Sequence, residues 1–308
     1  MAVTETARLS LGPVLYYWSR DEMFDFYARI ADTEADIVYL GETVCSKRRT
    51  LRGEDWMQIA EQLHAAGKEV VLSTLTLVEA GSELGAMQQI CNNDRFCVEA
   101  NDMGAVHMLS GKHGFVTGPS VNIYNPRTLK VLADRGLKRW VLPVELARDT
   151  LVDMQQQRPE NVETEVFVYG RLPLAYSARC FTARAHNLPK DDCQFRCLDY
   201  PDGLLLATRE SEDFLVLNGI QTQSARSCNL VTEIDDMLTL GVNVLRISPQ
   251  HRHTERIIHT FHERLHGNCS SDEAVSVLEK IMPGDSCNGY WHGTSGMDNR
   301  KTPEAICP

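Results

Sequence analysis

Three cysteines stand close together in the middle of the chain: Cys180, Cys193 and Cys197, in the run ARCFTARAHNLPKDDCQFRC. Thiolates bind soft metal centres, and a C-x12-C-x3-C spacing can bring three of them to one point. A fourth ligand must come from elsewhere, and Cys45, in LGETVCSKRR, is the best-placed candidate. Four thiolates suit either zinc or an iron–sulfur cluster. Structural zinc sites usually carry closely spaced cysteine pairs, and only Cys193 and Cys197 form one here. The uneven spread along the chain therefore suits a cluster spanning the fold better. The plain alternative is that these thiols are small buried hydrophobes, but a polar, proline-containing loop is not where such residues belong.

Other residues carry weaker signals. Glu42, Lys47, Arg48 and Arg49 surround Cys45; the cations can hold an anion or balance a negative cluster, or form a solvated loop. Glu99, Asn122 and Glu145 fall near expected strand ends, as pocket residues or as structural hydrogen-bonding groups. Tyr16, Tyr17 and Trp18 can wall a pocket or belong to the core. Cys91, Cys97, Cys228, Cys269 and Cys307 read as packing residues, and the role of Cys287 stays open. His262-Glu263-Arg264-Leu265-His266 matches H-E-x-x-H, the zinc-peptidase helix pattern, with Glu263 as general base. Against it, Ile257, Ile258, Phe261 and Leu265 make the apolar face of that helix and leave the histidines on its flank. Gly267 ends the helix before a third ligand.

These residues need a scaffold. Apolar, β-branched runs at 12–17, 36–40, 69–77, 95–100, 115–123, 139–144, 164–169 and 243–248 read as strands buried on both faces, as in a parallel sheet. Helical patterns lie between them at 20–32, 54–66, 79–92, 102–111, 126–135, 148–158, 230–240 and 254–266. Asp102 and Asn125-Pro126 look like helix starts, and Gly67 and Gly136 like helix ends. Eight alternations predict an α/β fold of the (β/α)8, TIM-barrel type. An open doubly wound sheet is the rival, weakened because no G-x-G-x-x-G follows the first strand. In a barrel, Cys45 and Cys180 both follow the C-terminal ends of strands, on the face where such folds do chemistry. If the segment between Cys193 and Cys197 is helical, their sulfurs share a face. The expected organisation is one barrel domain over 1–292, with a Cys-rich insertion and hairpin at 177–218 after the seventh strand, and a flexible tail at 293–308.

The 308 residues carry a net charge of −11 and a pI of about 5.4, which argues against a dedicated nucleic-acid surface. The N-terminal segment lacks a charged-then-apolar leader pattern, and no run approaches the ~18 apolar residues of a transmembrane segment. The expectation is a cytoplasmic protein with no transmembrane segment. In that reducing setting ten cysteines point to metal binding, catalysis or packing rather than disulfides.

The segments YLGETVCSKRR, VLSTLTLV, GRLPLAYSARCFTAR, KDDCQFRC, LNGIQT and DSCNGYW together resemble the collagenase-like (U-type) peptidase family, in particular its UbiV-like branch. The resemblance runs from about residue 11 to 292. It implies a [4Fe–4S] cluster on Cys45, Cys180, Cys193 and Cys197, and a role in oxygen-independent hydroxylation of a prenylated aromatic ring in ubiquinone biosynthesis. It also implies a heterodimer with a UbiU-like homologous subunit and work with a UbiT-like lipid-binding accessory protein. Other family members hydroxylate RNA bases; the acidic pI speaks against nucleic acid here. The H-E-x-x-H run has no part in the resemblance, so the peptidase label would be a misnomer. The alternative to a catalytic subunit is a scaffold subunit whose cluster only orders the insertion.

Overall fold

Alternation along short strands sets the architecture. In Ile37–Leu40, Ile37 and Tyr39 face one buried cluster while Val38 and Leu40 join another. A strand with two different buried faces needs a second layer on each. The computed structural model describes residues 7–112 and 114–300. Among these, the first strands and helices alternate as β1 (Arg8–Leu11), α1 (Arg20–Ala31), β2 (Ile37–Leu40), α2 (Gly53–Ala65), β3 (Glu69–Ser73), α3 (Gly81–Cys91), β4 (Cys97–Ala100) and α4 (Met103–Leu109). There follow β5 (Phe115–Thr117), α5 (Pro126–Ala133), β6 (Leu137–Val141), α6 (Arg148–Gln156), β7 (Glu163–Tyr176) and α7 (Phe181–Ala185). The chain continues through β8 (Leu204–Ala207), β9 (Asp213–Asn218), β10 (Gln221–Asn229), α8 (Ile234–Thr239), β11 (Val244–Ile247), α9 (Thr254–Leu265), α10 (Ser271–Leu278) and β12 (Ser286–Cys287).

The strands β1 to β7 pair in sequence order, and β11 pairs in parallel with both β1 and β7. That double pairing closes an eight-stranded parallel barrel, the expected (β/α)8 architecture. The outward residues of the strands form one large apolar layer with the helices. The expected helix signals hold: Asp102 and Asn125 accept from Gly104 N and Thr128 N, and Gly67 and Gly136 have φ of +86° and +106°.

Several expectations need correction. The first strand is 8–11, not 12–17. Arg8 and Ser10 face inward and hide its alternation, while the apolar run GPVLYY forms the buried loop after it. The seventh strand is 14 residues long, not six. Its second half leaves the barrel and pairs antiparallel with β10, which continues into β9 and β8. The expected hairpin is present as β8–β9, but β10 was not foreseen. Its residues are mostly polar, yet alternate positions are buried: Gln223 Nε2 donates to Gln221 Oε1, and Gln221 Nε2 donates to Tyr176 OH. The helix α10 was also missed; Ser270 and Glu273 form its capping box and were the available signal. At the far end, Asn288 hydrogen-bonds Arg300, and Asn288 N and Gly289 N both donate to Asp298 O. The rest of the expected tail, 301–308, lies outside the described residues, as does Cys307.

Candidate metal centre and barrel mouth

Cys45 lies on the loop between β2 and α2, and Cys180 is the N-cap of α7, its Sγ accepting from Ala183 N at 3.4 Å. Both follow C-terminal strand ends, and both pack on the small apolar cluster of Leu15, Val44 and Ile220. The segment carrying Cys193 and Cys197 is not one helical turn. Two short 3-10 turns, 190–192 and 196–199, flank Gln194 and Phe195, whose φ values are +49° and +52°. Cys193 is in the right-handed region and Gln194 in the left-handed one. That sequence of conformations is the backbone of an anion-binding nest, a form common around iron–sulfur sites.

The insertion is stitched to the Cys45 loop. Lys47 Nζ donates to Lys190 O (3.0 Å) and Asp191 Oδ1 (2.9 Å). Lys190 in turn donates to Ala178 O (2.8 Å) and pairs with Glu79. The four thiols are electrostatic neighbours. Cys45 feels Cys180, Cys197 feels Cys180 and Cys193, and Lys47 lies in the field of Cys45 and Cys193. Burial is the main influence on Cys45, pushing its thiol up to about 11, and it raises Cys197 in the same direction. Among the described residues no three His, Cys, Asp or Glu side chains stand in a metal-holding arrangement.

The donor set is nonetheless matched to an anionic centre by Arg48. Its side chain is 1% exposed, and its only carboxylate partner, among the described residues, is Glu42 at 3.8 Å. Nη1 donates to Leu15 O and Nη2 to Asn218 Oδ1, both at 2.7 Å, whereas Nε is buried without a hydrogen-bond partner. A buried cation with a vacant donor beside Cys45 and Cys197 lowers the cost of negative charge on the sulfurs. Tyr17 lies under this guanidinium, 5.6 Å from ring centroid to Cζ, and packs at a tilt against Phe195, walling the same place. Gly219 makes the close approach possible: its φ is +68°, and a Cβ there would meet Arg48 Nη2 at 3.0 Å. Gly219→Ala is therefore expected to cost about 1–3 kcal/mol, seen as a lowered unfolding midpoint in urea; an unchanged midpoint would show that Arg48 is free to move.

A second polar assembly fills the barrel. Arg246 Nη1 donates to Glu99 (2.7 Å) and Nε to Glu165 (2.8 Å). Ser10 Oγ and Tyr39 OH also donate to Glu165 (2.6 and 2.5 Å), and Arg139 bonds Tyr39, Glu163 and Glu69 below. Burial alone would raise the Glu165 carboxyl, but Arg246 and Arg139 outweigh it and hold the group below the ordinary range. At the top of this stack a small cavity of about 30 Å3 opens at the barrel mouth. Two buried polar atoms on its lining residues lack partners, Arg246 Nη2 and Thr43 Oγ1. Of this assembly, the sequence reading singled out Glu99 alone; a charged residue inside the apolar runs NVLRIS and TEVFVY was the signal for Arg246 and Glu165.

The remaining candidates separate from the site. Asn122 and Glu145 are exposed, Glu145 accepting from Tyr124. Tyr16 and Trp18 are buried on the loop after β1. Cys228 and Cys287 are buried free thiols opposite one another in the β10–β12 pair. The H-E-x-x-H run lies in the last turn of α9, which follows β11, so it sits at the barrel end opposite the cysteines. Glu263 there accepts from Asn268, and His266 Nδ1 lies 2.9 Å from the carbonyl of His262.

A closed parallel barrel with a cysteine-bearing excursion over its C-terminal face defines the class: a (β/α)8 protein. A sequence profile for peptidase family U32 matches residues 23–300, and the chain belongs to that family. It is similar to the tRNA hydroxylation protein P of Haemophilus influenzae, 42% identical over 76 residues, covering 25% of this chain and 16% of that protein. It is also similar to the tRNA hydroxylation protein P of Helicobacter pylori, 25% identical over 236 residues, covering 69% of this chain and 54% of that one. The chain thus spans little more than half the length of these relatives at most. Among solved structures, the U32 peptidase Mk0906 aligns with a TM-score of 0.44 at 10% identity, covering 79% of this chain and 93% of that one. Among the described residues no helix is long and apolar enough to cross a membrane.

Proposed function

We propose that Cys45, Cys180, Cys193 and Cys197 hold a [4Fe–4S] cluster, and that the chain is required for oxygen-independent hydroxylation of a prenylated aromatic ring in ubiquinone biosynthesis. It acts with a UbiU-like homologous subunit and a UbiT-like lipid-binding accessory protein. The observation that carries this reading is the buried, incompletely partnered Arg48 beside Cys45 and Cys197. Glu42, 3.8 Å away, is its one carboxylate neighbour among the described residues, and the unpartnered Nε leaves a donor for a further anionic acceptor. When bound, the cluster supplies one-electron redox chemistry. The chain's own residues have separate tasks: Arg48 and Lys47 offset the charge on the sulfurs, while Tyr17 and Phe195 limit water around them. Arg246 Nη2 and Thr43 Oγ1, at the barrel mouth, offer hydrogen bonds to an oxygen of the ring.

Relatives named for tRNA hydroxylation support a hydroxylation role and favour a second substrate, a tRNA base. The net charge of −11 disfavours that polyanion. A strain lacking the chain, grown with and without air, tests the two together. Ubiquinone is expected to disappear only in the airless culture, with hydroxylated tRNA nucleosides unchanged. Loss of the tRNA modification with ubiquinone intact would overturn the quinone reading.

A further inference from the structure

α1 packs on α2, and α3 packs on α4. Between α2 and α3 a cleft of about 640 Å3 opens instead, within the usual size of small-molecule sites. Its floor is apolar: Leu40 and Leu72 from the ends of β2 and β3, Trp56 and Met57 from α2, Met87 and Ile90 from α3. Leu40, Leu72 and Met87 are buried, whereas Trp56, Met57 and Ile90 stay half-exposed, and water against such a surface finds few hydrogen-bond partners. The positions of α3 that face the cleft near its start, Ser82 and Ala86, are small and exposed, which keeps the cleft open. The polar end is the Cys45 loop itself, since Glu42, Ser46 and the buried Arg48 also line the cleft. A trough with an apolar floor and a polar end on the Cys45 loop has the form of a site for an amphiphile.

We propose that this cleft binds the apolar chain of an isoprenoid-bearing ligand, lying between α2 and α3 with its polar end toward Arg48. The apolar character follows from the lining; the isoprenoid identity rests on the function proposed above. Two independent features bear on it: Trp56 and Met57 of α2 face Met87 and Ile90 of α3 across an apolar floor, while Ser82, Glu83 and Gln89 stand at its rim, and its only buried cation, among the described residues, is Arg48 on the Cys45 loop.

The test uses the full chain isolated without air and farnesol as the probe, with phenol as a ring lacking a chain. Binding is followed by the fluorescence of Trp56, with Trp56→Phe identifying its share of the signal, and by calorimetry. Farnesol is expected to bind saturably, and phenol at least tenfold more weakly. Ala86→Phe, which puts a ring into the cleft from an exposed helix position, is expected to weaken farnesol at least tenfold. Its circular dichroism and unfolding midpoint should stay as in the parent. Ser82→Phe provides the same block one turn away. Farnesol binding that both variants leave intact, or no saturable binding, would overturn the inference. Cys180→Ala separates the two readings. A cluster-free chain that still binds farnesol, and loses it on blocking the cleft, upholds the cleft even if ubiquinone proves unaffected in the deletion strain.

Discussion

Replacing Cys180 with alanine will strip the chain of iron, from about four atoms per chain to near none when isolated without air. Cys45→Ala will do the same, whereas Cys91→Ala will keep its iron. The contrast follows from position. Cys180 and Cys45 share the Leu15, Val44 and Ile220 cluster beneath the insertion and lie within one another's field. Cys91 is 1% exposed on the inner side of α3, in the layer that joins helices to barrel. With one of the four proposed ligands gone, three would remain, and the negative charge beside Arg48 would fall at the same time. Iron and acid-labile sulfide per folded chain, with electron paramagnetic resonance of the reduced protein, measure the outcome. Zinc without iron in the parent would end the iron–sulfur assignment. Equal loss from all three variants would mean that the ligands are misassigned.

Glu165→Ala should lower the stability of the folded chain by about 3–5 kcal/mol, on the order of 6–10 °C in unfolding midpoint. Glu165 is fully buried and takes hydrogen bonds from Arg246, Ser10 and Tyr39, with Arg139 4.0 Å away. Removing it leaves Arg246, itself stacked over Tyr39, with Glu99 as its remaining carboxylate among the described residues. The same carboxylate gives a pH dependence of definite sign. Its folded pKa lies below the unfolded one, so its contribution is complete above the unfolded glutamate value of about 4.3. It is lost as pH falls from there through the lowered folded value. Urea unfolding of parent and variant between neutral and acid pH should therefore show the parent losing stability over that range and the variant losing less. Equal stabilities at neutral pH would show that the barrel interior has relaxed around the deletion.

The barrel was legible in the chain because outward strand faces and helix stripes must both be apolar. β2, β3 and the helix boundaries at Asp102, Asn125, Gly67 and Gly136 announced themselves through that pattern and through local capping chemistry. The cysteine candidates were legible too, because thiols in a polar loop are out of place. Strand β1 was misplaced and β10 missed for one physical reason. Each carries polar residues at inward positions, Ser10 in β1 and Gln221 and Gln223 in β10, paired to distant side chains such as Glu165 and Tyr176, and a hydrophobicity pattern cannot register a partner 155 or 45 residues away.

By itself, then, the amino-acid order determined the repeating barrel units and the four sulfur candidates, since propensity, caps and spacing act over a few residues. Only the tertiary structure decided that Arg48 lies buried beside those sulfurs, that Glu165 and Glu99 clamp Arg246, and that a trough separates α2 from α3. Each depends on chain segments that meet only after the barrel closes, and no local rule can set the sign or depth of such an encounter.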